Sequence, residues 1–189
     1  MIWTHWRETK ETYSQHGEDI LVSHILGQVD SFIEIGANDG VLFSNCYKFA
    51  KAGARGLCLE PSSKSFWKLR LNHLPHRRVK CLKLAASDSS KKLFLEEAGY
   101  ESVLSKVKPT FSEGLQKIQA VSMKDIWRKY PSFKNTDLLS IDVEGHENEV
   151  LKGAGKEPLD AKVIILESDK STEQEMLSMP CLRKHLSLI

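Results

Sequence analysis

The sequence predicts an α/β fold: a doubly wound, mostly parallel sheet with helices on both faces. Three observations favour it. Short apolar runs that suit buried parallel strands alternate with helical segments along the 189 residues. A glycine-rich turn, Gly36 to Gly40, directly follows the first run. Two later runs end in acids, Glu60 and Asp142, at the strand ends where open α/β sheets bind ligands.

The first half of the chain alternates helix and strand. A helix over 14–28 is predicted because Leu21, Ile25 and Val29 share one face, with Val22 and Leu26 beside it. Strand one is the apolar run 31–35, and strand two is the run 55–60. Between them a helix over 41–52 ends at Gly53, and after them we expect a helix carrying Phe66, Leu69 and Leu74.

The second half continues the pattern. Strand three runs from Val79 to Ala86, and two further strands are expected at 92–96 and 117–121. The capping box Ser122–Asp125 opens a short helix to Tyr130. Strands four and five are 137–143 and 161–167, and between them a helix over 146–152 is followed by Gly153. Strands alternating with helices pair in parallel through right-handed crossovers.

Length and composition indicate one ordinary globular domain. We divide it into a helical cap (1–30), a Rossmann-like core (31–168) and a C-terminal helix (169–189). The net charge of +2 demands no polyanion, so no nucleic-acid partner is expected and the basic clusters at 68–70, 76–78 and 91–92 are interpreted as solvated faces. The four scattered cysteines indicate reduced thiols. No apolar run reaches the roughly 18 residues of a membrane span, and no secretory leader is seen, so we expect a cytoplasmic protein.

The glycine turn is the first candidate ligand site. Glycines let the backbone approach a ligand closely, and Asn38 tolerates positive φ. Such turns also occur in proteins that bind no ligand there. In doubly wound folds, however, the acid that binds the ribose hydroxyls follows the glycine loop by about 20 residues, and Glu60 lies 20 positions after Gly40. A carboxylate can accept two hydrogen bonds from a vicinal diol. The pair predicts an adenosine-type ligand.

The end of strand four is the second candidate. Asp142 and Glu144 are two apart, so on an extended backbone they point the same way. Gly145 then breaks the strand, and Glu147 and Glu149 fall in the first helical turn, where acids suit the helix dipole. An apolar central strand has no structural use for two carboxylates at its carboxyl end, which favours a functional reading.

These residues resemble the FkbM-type family of S-adenosylmethionine-dependent methyltransferases, which have the class I Rossmann-like fold. Four segments over roughly 12–168 carry the resemblance: Tyr13-Ser-Gln-His-Gly-Glu-Asp-Ile-Leu21, Phe32 to Gly40, Leu59-Glu-Pro61 and, most specifically, Ile141-Asp-Val-Glu-Gly-His-Glu147. The resemblance implies methyl transfer from S-adenosylmethionine, with S-adenosylhomocysteine as product, to a hydroxyl of a sugar or other small molecule.

The resemblance also implies residue roles. The methionine and ribose part of the cofactor would be wrapped by Glu34, Gly36, Ala37, Asn38 and Gly40. Glu60 would hold the ribose diol, Ala86 and Ser87 would border the adenine, Gln15 would close the methionine end, and Asp142 would lie beside the sulfonium. A hydroxyl acceptor gains from a base, for which Glu144 and His146 are the candidates. No metal is expected, although Asp142 with Glu144, or with Glu167 and Asp169, would be an alternative magnesium site.

The chain departs from the family after strand five, where it holds a capping box at 171–174 but no antiparallel strand pair. Strand five is then an edge, so we expect a homodimer there, another cover, or a shortened form with compromised activity. Two other functions stay open. A nicotinamide dehydrogenase would want glycine where Asn38 and Val41 stand, and a catalytically silent scaffold would bind cofactor without turnover.

Overall fold

The computed structural model describes residues 12–96, 106–110, 112–167 and 173–182. Within these ranges the chain alternates helices with strands, as predicted. The helices are α1 (Glu18–Leu26), α2 (Tyr47–Lys51), α3 (Ser63–Asn72), α4 (Met123–Lys129), α5 (Glu147–Ala154) and α6 (Glu173–Ser178). The strands are β1 (Ser31–Ile35), β2 (Arg55–Leu59), β3 (Val79–Leu82), β4 (Ala85–Ala86), β5 (Lys91–Glu96), β6 (Lys106–Lys108), β7 (Gln116–Val121), β8 (Asn135–Ile141) and β9 (Asp160–Leu166).

The central sheet has five parallel strands in the order β3-β2-β1-β8-β9. The chain runs outward from β1 to β3 on one side and from β8 to β9 on the other. The order therefore reverses between β1 and β8, which are neighbours. Ile35 pairs with both Leu59 and Ile141, so β1, β2 and β8 end side by side. This is the switch point at which open α/β sheets form a ligand crevice.

Helices cover both faces of this sheet, which confirms the predicted α/β class. On one face, the buried side chains of β1 alternate toward α1–α3 and form a core with Val22, Phe32, Phe49, Phe66 and Leu69. On the other, α4 and α5 pack through Met123, Ile126, Trp127, Val150, Leu151 and Ala154 against Ile33 and Ile35. Consecutive strand residues point to opposite faces, so Phe32 and Ile33 belong to different cores.

A second, smaller sheet of four strands, in the order β4-β7-β5-β6, stands beside the first. β5 pairs antiparallel with β6 and β7, and a small core of Ala85, Leu93, Leu95, Ile118 and Ala120 fills one side. The predicted strand from Val79 to Ala86 is therefore wrong as one element. It divides after Leu82, because β3 pairs with β2 whereas β4 pairs with β7.

Two predicted helices differ from the structure. The helix predicted over 41–52 is confined to Tyr47–Lys51, because Phe43 has a positive φ and bridges to Ser14. The helix predicted over 14–28 is Glu18–Leu26, and its buried face holds Asp19 and Val22 rather than Leu21 and Ile25. In α3, Phe66 and Leu69 are buried as expected.

Leu74 contradicts the prediction for α3. It lies beyond the last residue of the helix, Asn72, and is 75% exposed. The predicted helix over 146–152 instead extends from Glu147 to Ala154, so Gly153 lies inside it, and Gly155 ends it with a positive φ. There is no room for a side chain at Gly153, because an added Cβ would lie 2.2 Å from the Ser87 carbonyl oxygen.

β9 is the edge of the central sheet among the described residues, as predicted for strand five. Pairing of two copies through this edge stays a prediction. Asp169 and the first two residues of the capping box at 171–174 lie outside the described residues, as do residues 1–11 of the predicted cap. Across the part of the chain that the structure describes, no helix is long and apolar enough to cross a membrane.

Candidate active site

A pocket opens at the switch point, at the carboxyl ends of β1, β2 and β8. Its walls come from the glycine loop, the loop before α2, the end of β8 and the second sheet. The lining residues are Gln15, Glu34, Ile35, Gly36, Ala37, Asn38, Leu42, Phe43, Ser44, Asn45, Glu60, Pro61, Leu84, Ala85, Ala86, Leu95, Val107, Ser140, Asp142, Val143, Glu144, His146 and Glu167.

The glycine loop has the backbone that the sequence predicted. Gly36, Asn38 and Gly40 all have positive φ, of 83°, 46° and 78°. The amides of Gly36 and Ala37 both donate to the Leu59 carbonyl at 3.0 Å. A Cβ added to Gly36 would lie 1.6 Å from the Asp142 carbonyl oxygen. Gly36 is therefore required by the close approach of β1 and β8, which brings Asp142 to the loop.

Glu60 joins the tip of β2 to this loop. Its Oε2 accepts from the backbone N–H of Asn38 at 2.9 Å, and its Oε1 accepts from the N–H of Ser62 at 2.7 Å. The residue is 7% exposed and lines the pocket. A carboxylate oxygen can accept two hydrogen bonds. Glu60 can therefore hold the loop and accept from a ligand hydroxyl at the same time.

Glu34 is a buried carboxyl in the pocket wall, 4% exposed. Ser44 donates to its Oε1 at 2.8 Å, whereas its buried Oε2 has no hydrogen-bond partner among the described residues. Burial raises the pKa of Glu34 to about 7, against the opposing effect of the Ser44 hydrogen bond. A buried oxygen without a partner is costly. A cationic donor that entered the pocket would satisfy it and ionise the carboxyl.

Three carboxyls meet beyond the end of β8. Oxygens of Asp142, Glu144 and Glu167 lie within 4.8 Å of one another. Glu167 is brought there by register: Ile141 pairs with Leu166, and the Glu167 amide donates to the Ile141 carbonyl at 3.1 Å. Burial, a hydrogen bond with Glu167 and the nearby acids raise the pKa of Asp142 to about 8. Asp142 therefore holds a proton at neutral pH.

The turn after β8 is fixed by a buried acid. Glu147, 5% exposed, accepts at Oε1 from the amides of Val143 and Gly145, at 3.0 and 3.1 Å. The turn places Glu144 at φ 54° and Gly145 at φ 92°. Glu147 thus has the helix-start role that the sequence predicted, and it orients the segment that carries Glu144 and His146.

His146 lies at the edge of the pocket with 16% of its side chain exposed. Its Nε2 is 3.0 Å from the hydroxyl of Ser87, and its Nδ1 is 3.7 Å from Glu149. Burial lowers the pKa of His146, although Glu149 opposes the shift. The imidazole is therefore neutral at pH 7, which is the form that accepts a proton.

Most residues chosen from the sequence line this pocket: Gln15, Glu34, Gly36, Ala37, Asn38, Glu60, Ala86, Asp142, Glu144 and His146. Gly40 and Ser87 do not. Gly40 packs against Leu69 and His73, where a Cβ would come within 3 Å of both. Ser87 is fully buried, and its hydroxyl donates to Asp88 at 3.0 Å on the far side of His146. These two residues act on the pocket through their neighbours.

Sequence reasoning missed part of the wall. Ser44 and Asn45 contact the site, the first through Glu34 and the second through Ser140, which its amide reaches at 3.0 Å. They were missed because the segment was assigned to a helix. Apolar residues of the second sheet, Leu95 and Val107, close another side, and no sequence pattern linked them to the strand ends.

The pocket is strongly acidic. Five carboxyls line it (Glu34, Glu60, Asp142, Glu144 and Glu167), and among its described lining residues there is neither lysine nor arginine. Such a wall suits a cation and disfavours a pyrophosphate. The cluster of Asp142, Glu144 and Glu167 also has the oxygen chemistry of a divalent-cation site. That the protein needs no metal therefore stays a prediction.

Residues 34–180 match the family model described as the methyltransferase FkbM domain. Among solved structures, the chain is similar to methyltransferase FkbM from Methylobacillus flagellatus KT, with a TM-score of 0.51 and 15% identity, over 80% of this chain and 37% of that chain. The chain thus spans little more than a third of that protein's length. This similarity supports the fold.

Two further solved structures align with lower scores. Precorrin-6y C5,15-methyltransferase from Geobacter metallireducens GS-15 has a TM-score of 0.48 at 15% identity, over 94% of this chain and 73% of that chain. The SAM-dependent methyltransferase from Agrobacterium tumefaciens has a TM-score of 0.46 at 10% identity, over 87% and 47%. No curated protein matches the chain.

Proposed function

The chain belongs to the FkbM methyltransferase family, and from this premise we propose that it transfers a methyl group from S-adenosylmethionine to a hydroxyl of a small molecule, such as a sugar. The products would be the O-methylated acceptor and S-adenosylhomocysteine. The two finer parts of this proposal, the cofactor and the oxygen acceptor, rest on the chemistry of the pocket.

The acidity of the pocket is the observation that carries the proposal. S-Adenosylmethionine bears two positive groups, the sulfonium and the α-ammonium, and one carboxylate, so its net charge is +1. Five carboxyls and no lysine or arginine among the described lining residues suit such a ligand. The pyrophosphate of NAD would meet the same carboxylates without a cationic partner, which argues against the dehydrogenase alternative.

The residues present fit the cofactor. The unpartnered Oε2 of Glu34 can accept from the α-ammonium, which supplies the donor that this buried oxygen lacks. Glu60 lines the pocket and would accept from the ribose diol, and Ala86 offers a small apolar wall for the adenine. Gln15 would close the methionine end, and Asp142 would lie near the sulfonium.

When bound, S-adenosylmethionine supplies an electrophilic methyl group, so the protein needs chiefly to align the acceptor and exclude water. The glycine loop and the Asp142 backbone fix one side of the pocket rigidly, through the 3.0 Å bond from the Asp142 amide to the Ile35 carbonyl. Leu84, Leu95 and Val107 form an apolar wall that excludes water.

A hydroxyl acceptor must lose its proton as the new O–C bond forms. We assign this proton to His146, because its imidazole is neutral at pH 7 and lies at the pocket edge. The Ser87 hydroxyl donates to Asp88, so it accepts from the Nε2–H of the ring at 3.0 Å and fixes the tautomer. Nδ1 is then the nitrogen that takes the proton, and Glu149, 3.7 Å from it, would stabilise the imidazolium. Glu144 is the alternative base, since it lines the same pocket.

Titration calorimetry of the purified chain with S-adenosylmethionine, and with NAD in parallel, tests the cofactor. Micromolar affinity for the first and none for the second is expected. Transfer of label from methyl-labelled S-adenosylmethionine to a panel of sugars and phenols then tests the acceptor. Cofactor binding with no transfer to any hydroxylated compound would favour the silent scaffold, and binding of neither ligand would overturn the proposal.

A further inference from the structure

The outer face of α3 carries an apolar stripe that has no place in the proposed reaction. Trp67, Leu71 and Leu74 are 59, 68 and 75% exposed. They are spaced i, i+4 and i+7, so they follow one side of the helix and the turn after it. Phe66 and Leu69 of the same helix are buried in the core. The helix therefore presents large apolar side chains both to the core and to the solvent.

The segment around this stripe is exclusively basic. Between Glu60 and Asp88 the sequence holds no acidic residue but seven lysines and arginines. All seven are exposed: Lys64, Lys68, Arg70, Arg77, Arg78, Lys80 and Lys83. The rest of the chain has 20 basic and 25 acidic residues, so it is net negative while this segment carries +7. Five of these residues, from Lys64 to Arg78, lie on α3 or between α3 and β3, and they concentrate a positive field there. The Lys80 ammonium lies on the opposite face of the sheet, 5.4 Å from the centre of the Tyr130 ring.

Basic residues flank the apolar stripe on both sides. At 100° per residue, Lys64 and Lys68 lie to one side of Trp67 on the helix, and Arg70 lies to the other. The Arg70 guanidinium is 5.3 Å from the centre of the Trp67 ring. An apolar ridge with an indole at its centre and cationic side chains along its edges is the pattern of a helix that lies in a membrane interface.

We propose that this face, defined by α3 and residues 73–78, docks on an anionic phospholipid bilayer. Trp67, Leu71 and Leu74 enter the headgroup region, and the surrounding lysines and arginines bind lipid phosphates. A second copy of the chain is excluded as the occupant by charge, because two such faces would bring ten positive charges together, five from each copy. Nucleic acid is excluded as the occupant by the exposed leucines, because its phosphates make no favourable contact with an apolar ridge.

Docking of this face also positions the pocket. α3 begins at Ser63, two residues after Pro61, which lines the pocket. Trp67 is four residues further, about 6 Å along the helix axis. The bilayer surface would therefore lie near the part of the pocket that Pro61 lines. The proposal does not depend on which reaction occurs there.

Vesicle flotation tests the proposal, with vesicles of phosphatidylcholine alone and with 30% phosphatidylglycerol. We expect binding only to the anionic vesicles, and less of it as salt is raised. Lys68→Glu with Arg70→Glu should weaken it at least about tenfold, and Trp67→Ser with Leu71→Ser should do the same. These side chains are exposed, so folding should be retained, which circular dichroism checks.

Matched controls are available elsewhere on the surface. Ile25→Ser removes an apolar side chain that is 48% exposed on α1, and Lys92→Glu with Lys117→Glu reverses two exposed lysines of the second sheet. Both should leave vesicle binding unchanged. Equal binding to neutral vesicles, equal loss in the controls, or binding to a polyuridine RNA but not to anionic vesicles would overturn the proposal. A dimer seen in sedimentation that the double variant Trp67→Ser with Leu71→Ser dissociates would also overturn the proposal.

Discussion

Glu60 Oε2 accepts a 2.9 Å hydrogen bond from the backbone N–H of Asn38, so the tip of β2 holds the glycine loop at the end of β1. Its other oxygen accepts from Ser62, the residue that caps α3. One buried carboxylate therefore fixes two segments that line or border the pocket. The cofactor role that we propose for Glu60 would add to this structural role.

We expect Glu60→Ala to weaken both the fold and cofactor binding. The two amides lose their acceptor, which costs about 1–3 kcal/mol of unfolding free energy, and affinity for S-adenosylmethionine falls at least tenfold. Urea unfolding without ligand and calorimetric titration measure the two effects. Glu113→Gln, at an exposed acid, is the control. Unchanged cofactor affinity would remove Glu60 from the site.

Glu34 should make cofactor binding depend on pH. Its pKa is raised to about 7, so the carboxyl is partly protonated near neutrality and must ionise to accept from an ammonium. A cationic ligand lowers this pKa and releases a proton, so affinity should rise between pH 6 and pH 7.5. Titration in two buffers with different ionisation enthalpies measures the released proton. Glu34→Gln should remove the pH dependence, and a variant that kept it would contradict the assignment.

Asp142 should make the stability of the fold fall as pH rises. Its pKa is about 8 in the folded chain against an ordinary value of 3.8, so between these values the folded state holds a proton that the unfolded state has lost. The contribution is present below about pH 4 and is lost as pH rises through 8. The native chain should lose unfolding free energy between pH 5 and 8, and Asp142→Asn should reduce that loss by about 1–3 kcal/mol, measured by urea unfolding.

The same Asp142→Asn variant tests a role in transfer. The amide keeps the size of the carboxyl and can donate to Glu167, so the fold should persist while turnover falls. Normal turnover would mean that Asp142 serves only the local structure. If the unfolding free energy of Asp142→Asn has the same pH dependence as that of the native chain, Asp142 is already ionised at neutral pH.

A divalent cation is the remaining question at Asp142, Glu144 and Glu167. We expect EDTA to leave S-adenosylmethionine affinity unchanged, because the raised pKa of Asp142 favours its protonated form, which relieves the repulsion among the three acids. Titration of EDTA-treated chain, with and without magnesium, measures this. Affinity or turnover that is lost in EDTA and restored by magnesium would show that the three carboxylates bind a metal.

The convergence of strand-end residues could be predicted because it follows from parallel pairing. Glu34, Glu60 and Asp142 lie at the ends of neighbouring strands, and the sequence showed where each strand ends. Glu167 follows β9 in the same way, and it was considered only as a metal ligand. Its contact with Asp142 depends on the register of β8 with β9, which sequence alone does not specify.

The rest of the wall could not be predicted because it depends on tertiary contacts. Residues 41–46 have no strong local signal against a helix, yet Phe43 bridges to Ser14 and Ser44 turns toward Glu34. Ser44 also accepts from the Tyr47 amide at the start of α2. The Ser44 hydroxyl, which donates to Glu34, therefore marks the start of α2 and does not lie inside a helix. Leu74 was assigned to the core by its spacing, but the segment leaves the helix before its side chain can pack.

His146 provides the sharpest test of the chemistry. Because its pKa is lowered, the imidazole stays a proton acceptor below the usual titration range of histidine, so turnover should persist at pH values where an ordinary histidine is already protonated. His146→Gln should lower kcat by about 10²–10⁴-fold and leave S-adenosylmethionine affinity intact. If His146→Gln retains turnover while Glu144→Gln loses it, Glu144 is the base. If both retain turnover, the acceptor ionises without either residue, and transfer depends on alignment alone.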